Sequence, residues 1–368
     1  MAAVPGISIM IPTLGNTAYV EAALRSLDLA RSNYGGAVQI VVSDASDASD
    51  AGAIAALAGR YGAEYVHGVR GAAVQRNAAV RVATHALLFF IDSDCEASSN
   101  LLGTIAARFE DPTVSALAGN VEFTGARSWV FDAVCATGVL DGFHGFGTAA
   151  HDVSWGVTAA FALRRGAWDS IGGFDATFPP EAGGEDVDLG LRLTAGGFRI
   201  CYEPAALVFH PVGPWDGLLA ITRRFFHYGK ADVFLLDRHP QIRVRDGPGL
   251  LSGLLVFALA GVWRAVHAGS PLWLATGPVW LSTVIVAFAL LTAGKLDRSI
   301  DETLALILLQ ALDAGRLWET LRQRKWRLLF SRVQLDDEQI SRDWPAIYRT
   351  WLAVAYGSLL LVGFMLCR

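Results

Sequence analysis

Between residues 7 and 91 the chain alternates short β-rich runs, at 7–11, 38–43, 64–66 and 87–91, with alanine-rich helical windows near 18–31, 51–60 and 71–84. Alternation of this kind builds βαβ units, and these assemble into an α/β domain with a mostly parallel, Rossmann-like central sheet. Ligands of such sheets sit beyond the carboxyl ends of the strands, where loops and helix N-termini supply polar groups. The loops after Ile11, Ser43 and Ile91 are therefore where chemistry is expected.

After Asp94 the alternation loosens. A glycine- and aromatic-rich segment, 138–147, suits a mobile loop over a site or a plain surface connection. A second ordered block runs from Trp155 through a turn at Gly172-Gly173 to a helix starting near Glu185 and a strand at 198–202. The first domain is expected to close near Pro240, giving domains 1–240 and 241–368.

The remainder is far more apolar. In 215–236, Trp215, Leu218, Leu219, Phe225, Phe226, Val233 and Leu236 recur near helical spacing among Arg223, Arg224, His227 and Lys230. That pattern suits a helix lying on a membrane surface or, equally, one buried in protein. Stretches at 250–268, 272–293 and 347–367 read as membrane spans, since a bilayer core needs about 20 apolar residues. Asp301, Glu302, Asp313 and Arg316 interrupt 300–318, which is expected to be an interfacial helix. Arg322, Arg324, Lys325, Arg327 and Arg332 then mark a cytoplasmic side. The N-terminus lacks a basic n-region, so no cleaved signal is expected. These readings place the chain in the cytoplasmic (inner) membrane as a multi-pass protein, with residues 1–240 facing the cytosol.

The formal charge of −5 argues against nucleic acid as a partner. Cys95, Cys135, Cys201 and Cys367 stand far apart without a CxxC pair, so they read as reduced thiols.

Four sites carry chemistry. Asp92-Ser93-Asp94 follows the apolar run 87–91, and two carboxylates at a strand's carboxyl end can hold a hard divalent cation, although Asp and Ser also form ordinary turns. Asp44 ends another strand and is suited to accept hydrogen bonds from a nucleobase edge, whereas Asp50 is expected to cap the next helix. Glu185, Asp186 and Asp188 open a helix; its dipole favours acids there, and one of them suits a general base. His210 follows an apolar run and offers an imidazole that could bind the same cation, although a lone histidine is more often structural or on the surface.

In order and spacing, Ile11-Pro12-Thr13, Val42-Ser43-Asp44, Gln75-Arg76-Asn77, Asp92-Ser93-Asp94, Ile171-Gly172-Gly173-Phe174-Asp175 and Gly184-Glu185-Asp186-Val187-Asp188-Leu189 resemble the motifs of the family 2 glycosyltransferases of the GT-A fold, over residues 7–240. The resemblance implies a nucleotide-sugar site made by Pro12, Thr13, Asp44, Arg76, Asp92 and Ser93. It also implies Mg2+ or Mn2+ on Asp92, Asp94 and His210, and catalysis by Asp186 with Glu185 beside it. It implies an inverting transfer from a nucleotide-diphosphate sugar to a lipid-linked or membrane-proximal acceptor; the oligomeric state and any partner subunit are left open. The Gln-x-x-Arg-Trp motif of processive synthases has no match in 223–230, which favours transfer of a single sugar. The competing readings are a sugar-1-phosphate nucleotidyltransferase, for which 12–16 lacks a charged loop, and a membrane-anchored nucleotide-sugar-binding module without turnover.

Overall fold

Residues 7–11 are all sealed from solvent, as befits a strand covered on both faces of a parallel sheet. They begin β1 (Ile7–Thr13) in the computed structural model, which describes residues 4–137, 139–140, 143, 147–181, 183–245, 250–282, 300–329 and 331–335. Next come α1 (Thr17–Ser32), β2 (Val38–Asp44), α2 (Ala48–Arg60), β3 (Glu64–His67), α3 (Ala72–Val82) and β4 (Leu87–Phe90), each within a few residues of its expected place. β1 pairs in parallel with β2 and β4, and β2 with β3. The register sets Thr13 beside Asp44 and Asp44 beside His67, so three strand ends form one row.

The sheet is mixed rather than mostly parallel. β5 (Glu96–Ala97), α4 (Leu101–Arg108), β6 (Val114–Thr124), α5 (Trp129–Thr137), β7 (His151–Val153), β8 (Phe161–Arg164), α6 (Arg165–Ile171), α7 (Glu185–Ala195) and β9 (Arg199–Pro211) follow, and the strand order is β3-β2-β1-β4-β8-β6-β9-β5, with β7 on β9. β8 runs antiparallel to β4 and to β6 because the chain enters it from a 3-10 turn at Thr158–Ala160, against the direction of the first four strands. β9 extends well past the expected 198–202. Its far end pairs with β5, Phe209 opposite Glu96, which delivers His210 to the loop that follows β4.

The chain divides into two compact units, one built chiefly from Met1–Ala126 and Leu140–Pro214, the other from Arg127–Val139 and Trp215–Asp336. The division falls at 214/215 rather than near Pro240, because the helix expected at 215–236 belongs to the second unit. That helix is α8 (Leu218–Arg238); it is followed by β10 (Arg243–Arg245), α9 (Leu250–Ala268), α10 (Ile300–Arg322) and β11 (Ser331–Val333), which pairs with β10. α8 packs on α10 so closely that a Cβ on Gly229 would meet the Leu312 carbonyl and one on Gly315 the Phe226 carbonyl. Arg316 pairs with Asp232 at 3.3 Å, and Lys325 and Arg327 reach Asp237 at 2.9 and 2.6 Å. The face of α8 that carries Gly229 is thus buried against α10 within the second unit. The helix expected to lie in a membrane interface at 300–318 is a packing partner of α8, and part of the basic cluster is spent on Asp237.

Among the described residues no helix is long and apolar enough to cross a membrane. α9 has the bounds expected of the first span but carries Arg264 and His267. The stretch read as the span 272–293 starts inside a 3-10 turn, Pro271–Ala275, folded so that Gly261 faces Trp273 and Thr276. Its remainder from 283, all of 347–367 and most of 138–147 lie outside the described residues.

Two glycines test this packing. A Cβ on Gly190 of α7 would stand 2.5 Å from the Cα of Trp155, whereas Gly103 of α4 has nothing within 4 Å. Gly190→Ala is expected to lower stability by about 1–3 kcal/mol. Gly103→Ala is expected to raise it by up to about 1 kcal/mol through helix propensity. Chemical denaturation reads both, and equal effects would contradict the packing.

Candidate active site

Three consecutive residues of α3 tie the site together. Gln75 donates from Nε2 to the carbonyls of Thr13 at 2.6 Å and Ser43 at 2.8 Å, stitching the ends of β1 and β2. Arg76 is buried and donates from Nη2 to Asp92 Oδ1 and from Nη1 to Glu185 Oε1, each at 2.7 Å. Asn77 brackets Phe174, donating to its carbonyl at 2.9 Å and accepting from its N–H at 3.0 Å. Gly173 makes that approach possible: its φ is 76°, and a Cβ would sit 2.6 Å from the Trp168 ring. Burial alone would lower the Arg76 pKa, but Asp92 and Glu185, with Asp186 behind them, raise it above the ordinary arginine value.

The helix-opening acids of α7 have separate tasks. Glu185 is buried and tied to Arg76; Asp188 is buried and accepts from Arg192 Nε at 2.8 Å, while Arg192 Nη1 donates to the Ile171 carbonyl. Among the described residues, the Asp186 carboxylate accepts a local bond from the Val187 N–H at 2.9 Å. Desolvation, and then the negative charge of Glu185, push its pKa up to about 7. A half-buried carboxyl poised near neutrality is what a general base needs.

On the other side of the β4 loop, Asp94, Cys95 and His210 bring ligand atoms within 4.8 Å of one another. His210 Nδ1 lies 2.8 Å from the Pro211 carbonyl, an acceptor, so the neutral ring carries its proton there and turns the Nε2 lone pair toward Asp94 Oδ2 at 3.5 Å. An imidazole nitrogen and a carboxylate oxygen at this distance are satisfied either by a proton on Nε2 or by a cation between them. The pair thus fits a divalent ion, and a mixed carboxylate–imidazole set suits Mn2+ better than Mg2+, which prefers oxygen. Burial, and then the charges of Asp92 and Asp94, raise the Cys95 thiol well above its usual range, so it stays protonated. Asp92, expected among the metal ligands, is not in this cluster; its Oδ1 is committed to Arg76.

Asp44, expected to meet a nucleobase, is fully buried. Its Oδ1 accepts from the Ser46 N–H at 2.9 Å and the Ser46 hydroxyl at 2.5 Å, and its Oδ2 from the Tyr65 hydroxyl at 2.7 Å. Burial and then the bond to Asp44 push the Tyr65 phenol up to about 12. Ser46 Oγ also accepts the Gly15 N–H at 2.6 Å, joining the loops after β1 and β2. Thr13 is buried with its hydroxyl on the Gly15 carbonyl, and Pro12 aligns with Ser43. Ser93 is half-buried between the two aspartates. Asp47, not Asp50, occupies the cap position of α2, since the helix begins earlier than expected; Asp50 lies in its first turn.

The sequence reading missed Ser46, Tyr65 and His67 around Asp44, and Cys95 beside the aspartate–histidine pair. Pairing register was the available signal: once β2 and β3 are set in parallel, residue 67 falls beside Asp44.

Removing Arg76 leaves Glu185 as an unpaired buried carboxylate. Arg76→Ala is expected to lower stability by about 3–5 kcal/mol. Adding Glu185→Gln should restore part of that loss in a double-mutant denaturation cycle. Additive losses would contradict the pairing.

Residues 5–225 match the family described as glycosyltransferase like family 2. The chain is 31% identical over 238 residues to the pre-mycofactocin glycosyltransferase of Mycobacterium tuberculosis, covering 63% of this chain and 46% of that protein, so it spans about half the length of this relative. It is 34% identical over 87 residues to the N-acetylglucosaminyl-diphospho-decaprenol L-rhamnosyltransferase of the same organism, covering 24% of this chain and 28% of that one. A mannosyltransferase of Pyrobaculum calidifontis, solved in complex with GDP-Man and Mn2+, shares the fold with a TM-score of 0.53 at 19% identity, covering 86% of this chain and 88% of that one. The family match runs from β1 through the Asp92–Asp94 loop and α7 into α8, and the chain belongs to the glycosyltransferase-like family 2, with an α/β fold of the GT-A type around a mixed central sheet.

Proposed function

We propose that the chain is an inverting glycosyltransferase that moves one sugar from a nucleoside diphosphate donor to a hydroxyl of a lipid-linked or membrane-proximal acceptor. The observation that carries this reading is the division of labour among the acids of α7: Glu185 and Asp188 are anchored by arginines, and Asp186 is left with a pKa near 7. Asp186 takes the proton of the acceptor hydroxyl as its oxygen attacks the anomeric carbon, opposite the departing diphosphate. Inversion at that carbon follows from the in-line displacement. Glu185 positions rather than reacts, through Arg76, which also fixes Asp92 at the mouth of β4. Asp94 and His210 are the residues suited to hold Mn2+ or Mg2+, which when bound neutralises charge building on the leaving diphosphate.

The acceptor side of the proposal is supported by α9, where Leu259, Val262, Trp263 and Val266 are all exposed at helical spacing and form one apolar face. The Arg264 guanidinium lies over the rings of Trp263 and Trp273, at 5.8 and 5.6 Å, as a basic side chain does at an apolar–polar boundary. A location at the cytoplasmic membrane, with the α/β unit on the cytosolic side, fits this face.

The test is nucleoside diphosphate release from a panel of nucleotide-sugars, with Mn2+ and a membrane extract as the source of acceptor. One donor is expected to turn over and give a product of inverted anomeric configuration. Asp186→Asn should lose about 100- to 10,000-fold, the range of a general base. Asp94→Ala should lose both turnover and metal-dependent binding. Turnover by Asp186→Asn at the wild-type rate sinks the assignment, and metal-dependent binding with no release from any donor favours a binding module.

A further inference from the structure

The basic segment at the end of α10 has no part in the reaction, and it is pinned from one side only. In the last two turns of α10, Gly315 meets the Phe226 carbonyl, and Glu319 and Thr320 are sealed from solvent. Trp318 and Arg322, four residues apart, share the outward face and are exposed. The helix ends in a left-handed turn at Arg324, φ 56°, with the Lys325 N–H on the Thr320 carbonyl at 2.9 Å. Beneath the 3-10 turn Trp326–Leu328 that follows, Leu328 is buried against Val233 and Leu236, and Lys325 reaches Asp237 at 2.9 Å. This pinning leaves Trp318, Arg322, Arg324, Trp326 and Arg327 exposed along one short stretch, both tryptophans at 59%.

The stretch 320–335 carries five basic residues and no acid, in a chain whose formal charge is −5. Arg322 pairs with Glu319, and Lys325 and Arg327 share Asp237; Arg324 has no ion-pair partner among the described residues. We propose that this edge docks on an acidic lipid bilayer, with the two tryptophans at headgroup level and the arginines on lipid phosphates. The proposal deepens the membrane-proximal reading of the acceptor, on which it rests, by naming the partner surface. Indole joins an apolar body to one N–H and so favours the boundary between hydrocarbon and water. Guanidinium forks match phosphate oxygens, and an acidic leaflet attracts such a basic cluster. Among the described residues after Val279, these tryptophans are the only exposed large apolar side chains. Two indoles set among cations lack the charge-depleted apolar centre that a protein partner would bury. Because the edge is already pinned from beneath, docking orders little that is loose.

Vesicle flotation of the full chain, on phosphatidylcholine with or without phosphatidylglycerol, tests this without substrate. Binding is expected to favour the acidic vesicles and to weaken as salt rises. Arg324→Gln/Arg327→Gln should bind the acidic vesicles about 30-fold more weakly, the scale of two basic side chains at an acidic leaflet, and leave binding to the neutral ones unchanged. A second reading uses the wild-type fold: brominated phosphatidylglycerol should quench tryptophan fluorescence, and Trp318→Phe/Trp326→Phe should remove much of that quenching. Equal binding to both vesicles, an acidic preference unchanged in the arginine variant, or quenching unchanged in the tryptophan variant overturns the inference and leaves the membrane location standing. Flotation with neither vesicle overturns both.

Discussion

One buried guanidinium joins segments that are far apart in the chain. Arg76 reaches Asp92 after β4 and Glu185 at the start of α7, so it sets where the strand-end loop and the acidic helix meet. Burying such a triad is not a gain in stability by itself, because desolvating three charges offsets most of their attraction. Its value is geometric. With Glu185 spent on Arg76, the neighbouring Asp186 is both desolvated and faced by a fixed negative charge, and these two causes lift its pKa to about 7. One contact thereby gives two adjacent acids different surroundings.

That lift has a cost whose sign can be stated. An acid whose folded pKa is raised favours folding most below its ordinary value of 3.8, and the contribution is lost as pH rises from there toward 7. Basic function appears over the upper end of the same window, as the carboxyl ionises. Much of the rest of the site is held by contacts to backbone groups: Gln75 on two carbonyls, Asn77 on both polar groups of Phe174, and Ser46 on the Gly15 N–H, with Ser46 also holding Asp44.

Much of this was legible in the sequence because it depends on local pattern. The alternation over 7–91 placed four strands and three helices, and acids following apolar runs marked Asp44, Asp92 and Asp94. What escaped depends on contacts between distant segments. No periodicity tells that residues 161–164 return antiparallel beside β4, nor that β9 runs on far enough to bring His210 to Asp94. Which of Glu185 and Asp186 is tied down follows only from where Arg76 arrives. The apolar spacing of α8 is the same for a lipid face and a protein face, and it could not tell that Gly229 and Gly315 come close to opposing backbones. Tyr65 and His67 stood in a short, partly exposed strand, where nothing but register connects them to Asp44.

The central claim is that Arg76 and Glu185 together make Asp186 a base near neutrality. Carbon-13 NMR titration of aspartate carboxyls, with the Asp186 signal assigned by its loss in Asp186→Asn, measures this without substrate. The account predicts titration of Asp186 near pH 7 in the wild type and at lower pH in Glu185→Gln, where the second cause of the shift is gone. An Asp186 carboxyl titrating at its ordinary 3.8, or unmoved by Glu185→Gln, would contradict it.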